Sequence, residues 1–187
     1  MKKPDFEKVT VIGAGTMGAG IAGLFAAAGC ETSMVDVDDE RVENGLALLD
    51  RSYEAQRKAG RLSEGHAEEG RARVKISLDL EEACDGAEFL VEAVSENLPL
   101  KRELFERFDA LCPGDALLTS NTSGLSISEI ASATSEAAES ARLRCWDTAT
   151  ADTAEVSAVL SLSSVPSAAL SWRRSSSISS WSSRRAR

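Results

Sequence analysis

The apolar, β-branched run Val9-Thr10-Val11-Ile12 stops at Gly13, and a stretch compatible with a helix follows from Thr16 to Ala28 before a second stop at Gly29. That order is strand, tight turn, helix and helix end. Thr32 to Val37 reads as a second strand, and the charged segment from about Asp39 to Arg57 reads as a long amphipathic helix. Three more strands are expected at Arg73 to Ser77, Ala87 to Val94 and Ala116 to Ser120. The segments between them suit helices, most clearly Leu98 to Leu111 and Ser126 to Ala133. Glu64 to Arg71, with the sequence EGHAEEGR, holds so little apolar surface that it reads as a surface turn or a frayed helix end. Strands alternating with helices predict an α/β fold, a parallel sheet covered on both faces.

The pattern does not continue to the end of the chain. Residues 1 to 136 carry 26 acidic and 14 basic side chains, whereas residues 137 to 187 carry 4 and 7. The glycines all lie at or before Gly124, while Trp146, Trp172 and Trp181 are all in the last part, where 14 of 51 residues are serine. Neither the helical nor the strand period persists there. The expected division is therefore an ordered unit over residues 1–140, incomplete at its C-terminal end, and a low-complexity, disordered or irregular tail over 141–187. Two origins for the tail stay open. Translation out of frame past about Arg142 is one, and a natural Ser/Arg-rich arm is the other. A sheet that lost its last strands would expose an unpaired edge and aggregate.

Charge and cysteine content narrow the function. The chain has 187 residues and a net charge of −9, which disfavours nucleic acid and anionic membrane as partners. No apolar run approaches the roughly 20 residues that span a bilayer, and the first residues, MKKPDFEKVTVIGAG, lack a signal-peptide core. Cys30, Cys84, Cys112 and Cys145 are too far apart in sequence for a metal or redox pair. Reduced thiols in the cytoplasm, and no metal, are the expectation.

Gly13-Ala14-Gly15-Thr16-Met17-Gly18 fits G-x-G-x-x-G directly after an apolar strand and at the opening of a helix. In that pattern the first glycine makes the bend, the second admits a pyrophosphate close to the backbone, and the third lets helix pack on strand. The helix amino terminus then faces the phosphates. Asp36 closes the second strand 18 residues after Gly18, where a carboxylate binds ribose hydroxyls and repels a 2′-phosphate. The reading is a Rossmann-type doubly wound sheet that takes NAD rather than NADP.

Two further segments are more distinctive. Val91-Glu92-Ala93-Val94-Ser95-Glu96-Asn97-Leu98-Pro99-Leu100-Lys101 and Leu118-Thr119-Ser120-Asn121-Thr122-Ser123-Gly124-Leu125-Ser126-Ile127 resemble the L-3-hydroxyacyl-CoA dehydrogenase family over residues 8 to about 136. The resemblance implies that Glu96 and Lys101 border the nicotinamide-side ribose. It also implies that Ser123 hydrogen-bonds the substrate oxygen at C3, where hydride is exchanged with an acyl-CoA in fatty-acid or butanoate metabolism. Read from the residues alone, Glu96 and Lys101 are also compatible with a charge pair at a helix start, and Ser123 with a helix cap.

Alcohol oxidation needs a base near neutral pKa, and in the family a histidine some twenty residues after the serine serves, held by a glutamate. Here that region reads Ala141-Arg142-Leu143-Arg144-Cys145-Trp146-Asp147, without histidine, and Glu155 has nothing to orient. The single histidine, His66, lies in the polar Glu64 to Arg71 segment and is expected to be exposed. The resemblance also implies an all-helical second domain that closes the cleft and forms the homodimer interface, which this chain lacks. The expectation is a truncated cofactor-binding unit with negligible turnover. Two alternatives remain: a dehydrogenase of another 3-hydroxy acid, of carnitine or gulonate type, against which Asn121 argues, and a non-catalytic NAD-binding module.

Overall fold

The computed structural model describes residues 6–122, 124–134 and 143–145. Six parallel strands, β1 (Lys8–Ile12), β2 (Glu31–Val35), β3 (Val74–Ser77), β4 (Phe89–Glu92), β5 (Leu117–Ser120) and β6 (Leu143–Cys145), form one sheet in the order β3-β2-β1-β4-β5-β6. The strand order reverses between β1 and β4, where β1 continues into the glycine bend. In open α/β sheets this switch point, beyond the strand C-termini, is where ligands bind.

Period-two alternation sorts the strand residues between two cores. Val9, Val11, Met34, Phe89 and Val91 face one side and pack on α1 (Thr16–Ala27), α2 (Asp39–Lys58) and α3 (Glu64–Ala72). Ile12, Val35, Leu90 and Leu118 face the other side, under α4 (Leu80–Cys84), α5 (Leu98–Leu111) and α6 (Ile127–Ala131). Both faces are buried over the central strands, so β1 and β4 are buried at nearly every position. The doubly wound parallel fold expected from the alternation is the one observed.

Two details differ from the sequence reading. Glu64 to Arg71 is neither turn nor frayed end: it lies within α3, whose N-cap Ser63 accepts from the His66 N–H. It packs through its small residues, since Gly70 is buried and a Cβ there would sit 2.7 Å from the Tyr53 hydroxyl. Tyr53 in turn donates to the Gly23 carbonyl at 2.6 Å, and burial pushes its pKa far above the usual phenol value, so it stays a donor. Second, the sheet passes the boundary drawn at residue 140. β6 pairs with β5 in parallel through Leu118↔Leu143 to Ser120↔Cys145, so β5 is not the unpaired edge that the composition break suggested.

Candidate functional site

The switch point is built from glycine. Gly13 has φ +103°, a conformation that disfavours any side chain, and its missing Cβ leaves room for the Ala93 carbonyl 2.7 Å away. Its N–H donates to the Val35 carbonyl at 2.7 Å, fixing the bend to the end of β2. A Cβ on Gly18 would lie 1.7 Å from the Gly13 carbonyl, so only glycine lets α1 start against the bend. From α2, Gly45 presses on the same loop, with Ala14 O 2.6 Å from where its Cβ would be. Around Gly15 the space is open: nothing lies within 4 Å of a Cβ built there.

Helix ends sharpen the picture. Asp38, Ser63, Asp79, Asn97 and Ser126 cap α2 to α6 with side chains that accept from first-turn N–H groups. α1 begins on Gly15, with no side-chain cap and no acidic residue in its first turn. Its first-turn N–H groups thus have no side-chain cap, Gly15, Thr16 and Met17 are exposed, and the positive end of the helix dipole stands behind them. Met17 beside them is 48% exposed. These are the features that a pyrophosphate requires.

Asp36 follows β2 directly. Its carboxylate accepts from the Ala14 N–H and the Val37 N–H, both at 2.8 Å, with Arg41 4.0 Å away. The Asp36 side chain lines an open groove of about 670 Å³ together with Gly13, Val37, Leu78, Val94, Leu100 and Arg107. Val37, Leu78 and Leu100 are large apolar side chains left exposed, which marks a surface for a flat apolar ligand part. The sequence reading missed them. For two of them the signal was present: Val37 and Leu78 stand just after strand ends, where a loop is normally polar.

The second cluster surrounds the end of β4. Glu92 is fully buried on the α5 side of the sheet, and its carboxylate accepts from Lys101 Nζ at 2.7 and 2.8 Å, Ser120 Oγ at 2.6 Å and the Val94 N–H at 2.7 Å. Lys101 is not on a solvated face: its side chain is 0% exposed, and Nζ also donates to the Val94 carbonyl at 3.3 Å. Glu96 lies 4.0 Å from Lys101, is 46% exposed, and accepts from Thr122 Oγ1 at 2.8 Å. Sequence analysis singled out Glu96 and Lys101 but missed Glu92, Ser120 and Thr122, the groups that hold them. Ser123 and the region where the family's histidine was sought, apart from the backbone of Leu143–Cys145, lie outside the described residues.

His66 is exposed on α3, with Nδ1 2.6 Å from Ser63 Oγ. Cys30, Cys84 and Cys112 are buried thiols. Its hydrogen bond with neighbouring Cys112, with burial behind it, pushes the Cys84 pKa far up and keeps the thiol protonated. Among the described residues, no helix is long and apolar enough to cross a membrane.

Comparison with known proteins agrees with this geometry. Residues 8–146 match the family model described as 3-hydroxyacyl-CoA dehydrogenase, NAD binding domain. A probable 3-hydroxybutyryl-CoA dehydrogenase of Bacillus subtilis is 39% identical over 130 residues, covering 70% of this chain and 45% of that protein. The human mitochondrial hydroxyacyl-coenzyme A dehydrogenase is 36% identical over 138 residues, covering 71% and 44%. Among solved structures, the (S)-3-hydroxybutyryl-CoA dehydrogenase PaaH1 of Ralstonia eutropha superposes with a TM-score of 0.69 at 31% identity, over 75% of this chain and 48% of that one. The chain thus spans less than half the length of these relatives. Glycine bend, uncapped helix, strand-end aspartate and family match converge on one statement: the chain belongs to the 3-hydroxyacyl-CoA dehydrogenase family, as its NAD-binding domain, and its cofactor is NAD.

Proposed function

We propose that this chain supplies the cofactor half of a hydride exchange between NAD and the C3 hydroxyl of a 3-hydroxyacyl-CoA, in fatty-acid β-oxidation or butanoate metabolism in the cytoplasm. The observation that carries it is the first turn of α1, the one described helix longer than a single turn that begins without a side-chain cap, opening over Gly15. In this reading the N–H groups of Thr16, Met17 and Gly18 hold the diphosphate. Asp36 exchanges its bond to the Ala14 N–H for the adenosine ribose hydroxyls, and Val37, Leu78 and Leu100 take the adenine face. Glu96 and Lys101 border the nicotinamide-side ribose, and Ser123 orients the substrate's C3 oxygen. NAD, when bound, supplies the hydride acceptor.

The reading extends to what the chain does alone. Proton removal from the C3 hydroxyl needs a base, and the chain's single histidine sits on α3, hydrogen-bonded to Ser63 and on the opposite sheet face from α5. The chain is therefore proposed to bind NAD without turning over substrate. The same observation favours a second reading, a non-catalytic NAD-binding module. Fluorescence titration with NADH, followed by an assay with NADH and acetoacetyl-CoA, tests both: binding without turnover is expected. Turnover at an enzymatic rate refutes the inactive-chain reading, and absence of NADH binding refutes the whole assignment.

A further inference from the structure

We infer that Glu92 is a positioning residue for the nicotinamide side of the cofactor site, acting through Lys101 and Glu96. The inference rests on the reading above that the nicotinamide ribose lies at Glu96. Glu92 ends β4 with a carboxylate that no solvent reaches, and four contacts saturate it. Those contacts come from three different pieces of chain. Val94 belongs to the loop after β4, Lys101 to the first turns of α5, and Ser120 to the end of β5. The Asn121 N–H also donates to the Glu92 carbonyl at 2.7 Å. One residue therefore ties together the two strand-end loops, the one after β4 that carries Glu96 and the one after β5 that carries Thr122.

The link to Glu96 is equally concrete. Lys101 directs its hydrogen bonds at Glu92 and the Val94 carbonyl, and presents its charge to Glu96 from 4.0 Å behind. From the other side Thr122 donates to Glu96, and its hydroxyl oxygen accepts from the Leu125 N–H at 3.1 Å. Glu96 is thus held between the α5 side and the β5 loop while nearly half of it faces solvent. A buried ion pair is a weak stabiliser, because desolvating two charges cancels most of their attraction. Its place at the strand end, where ligands lie, gives it a reason that stability does not. Lys101 on this view stands behind the carboxylate that meets the ribose and aims it.

The test separates aim from stability. NADH reaches both halves of the site, whereas ADP reaches only the adenosine half, so their affinity ratio reports the nicotinamide side alone. In the full chain, Glu92→Gln is expected to weaken NADH about tenfold, the value of one charge-assisted hydrogen bond, and to leave ADP within about twofold. Ser120→Ala, which keeps the ion pair and folds if Glu92→Gln does not, is expected to shift the ratio in the same direction by a smaller factor. A ratio unchanged in both variants, or NADH and ADP weakened equally, overturns the role of Glu92. If the wild-type chain binds NADH no tighter than ADP, the placement of the nicotinamide at Glu96 is wrong, a distinct failure that removes the basis of the inference.

Discussion

The two ends of the proposed cofactor site are built by opposite means. At the bend between β1 and α1 the sequence withholds side chains: Gly13 and Gly18 let backbone pack against backbone, Gly15 faces open space, and α1 goes without a cap. At the end of β4 it does the reverse and buries a carboxylate and an ammonium in contact, with each hydrogen-bonded to its limit. A diphosphate carries its own charge and needs only donors and room. A ribose is neutral, and holding it demands carboxylates kept in one orientation. The phosphate end is thus simple to build and intolerant of added atoms, whereas the ribose end is tolerant of shape and intolerant of lost charge.

The sharpest break in that contrast is Lys101→Met. It removes one member of a pair whose side chains are both 0% exposed and leaves Glu92 with an uncompensated charge, for an expected loss of about 3–5 kcal/mol in unfolding free energy. Replacing both members, Glu92→Leu with Lys101→Met, is expected to recover a large part of that loss. Denaturant melts of the single and double variants check this, and a single variant as stable as wild type would show that the pair is solvated in solution. Gly18→Ala attacks the other end. One methyl group 1.7 Å from the Gly13 carbonyl forces α1 away from β1, with an expected cost of about 1–3 kcal/mol and loss of NADH binding. An alanine variant that binds NADH normally would mean that the bend has slack.

The same contrast governs which features are legible in the sequence. The glycine end is a local affair of six consecutive residues after a strand, and spacing alone exposes it. The proposed ribose end joins Glu92, Lys101, Ser120 and Thr122, with 28 positions between Glu92 and Ser120 alone, and nothing local distinguishes a buried strand-end glutamate from an exposed one. Only family resemblance pointed there, and the residues read alone left Lys101 as half of a charge pair at a helix start, whereas its side chain is buried. α3 escaped because helix periodicity is carried by apolar bulk, and this helix packs through Gly70 and the methyl of Ala67. β6 escaped because three residues in a segment of altered composition carry no period at all.

Asp36 stands between the two modes, a charged side chain bonded to the backbone of the bend. Asp36→Ser is expected to weaken NADH about tenfold, by removing charge-assisted hydrogen bonds to the ribose. It is also expected to raise the relative affinity for NADPH, because the repelling carboxylate is gone and Arg41 is already beside it. Adding Arg41→Ala should cancel the gain for NADPH without a further effect on NADH. Paired titrations with the two dinucleotides decide it, and an unchanged preference in Asp36→Ser would place the ribose elsewhere.

The smallest effect in energy discriminates best, because stability and binding should move in opposite directions. Gly15 has φ −69° and ψ −175°, extended backbone open to any residue, and a Cβ there meets nothing within 4 Å. In Gly15→Ser the protein gains a side-chain oxygen able to accept from the Met17 or Gly18 N–H, as serine caps do on α3 and α6. With the entropy removed from the unfolded chain, the expected gain is about 0.5–1 kcal/mol. That same oxygen occupies the diphosphate's donors, so NADH affinity should fall. Ser63→Ala is the matched control: it strips the cap from α3, which lies on the far flank of α1, and should cost about 1 kcal/mol with NADH binding intact. A stabilised Gly15→Ser variant with undiminished NADH affinity would show that the missing cap on α1 serves something other than phosphate.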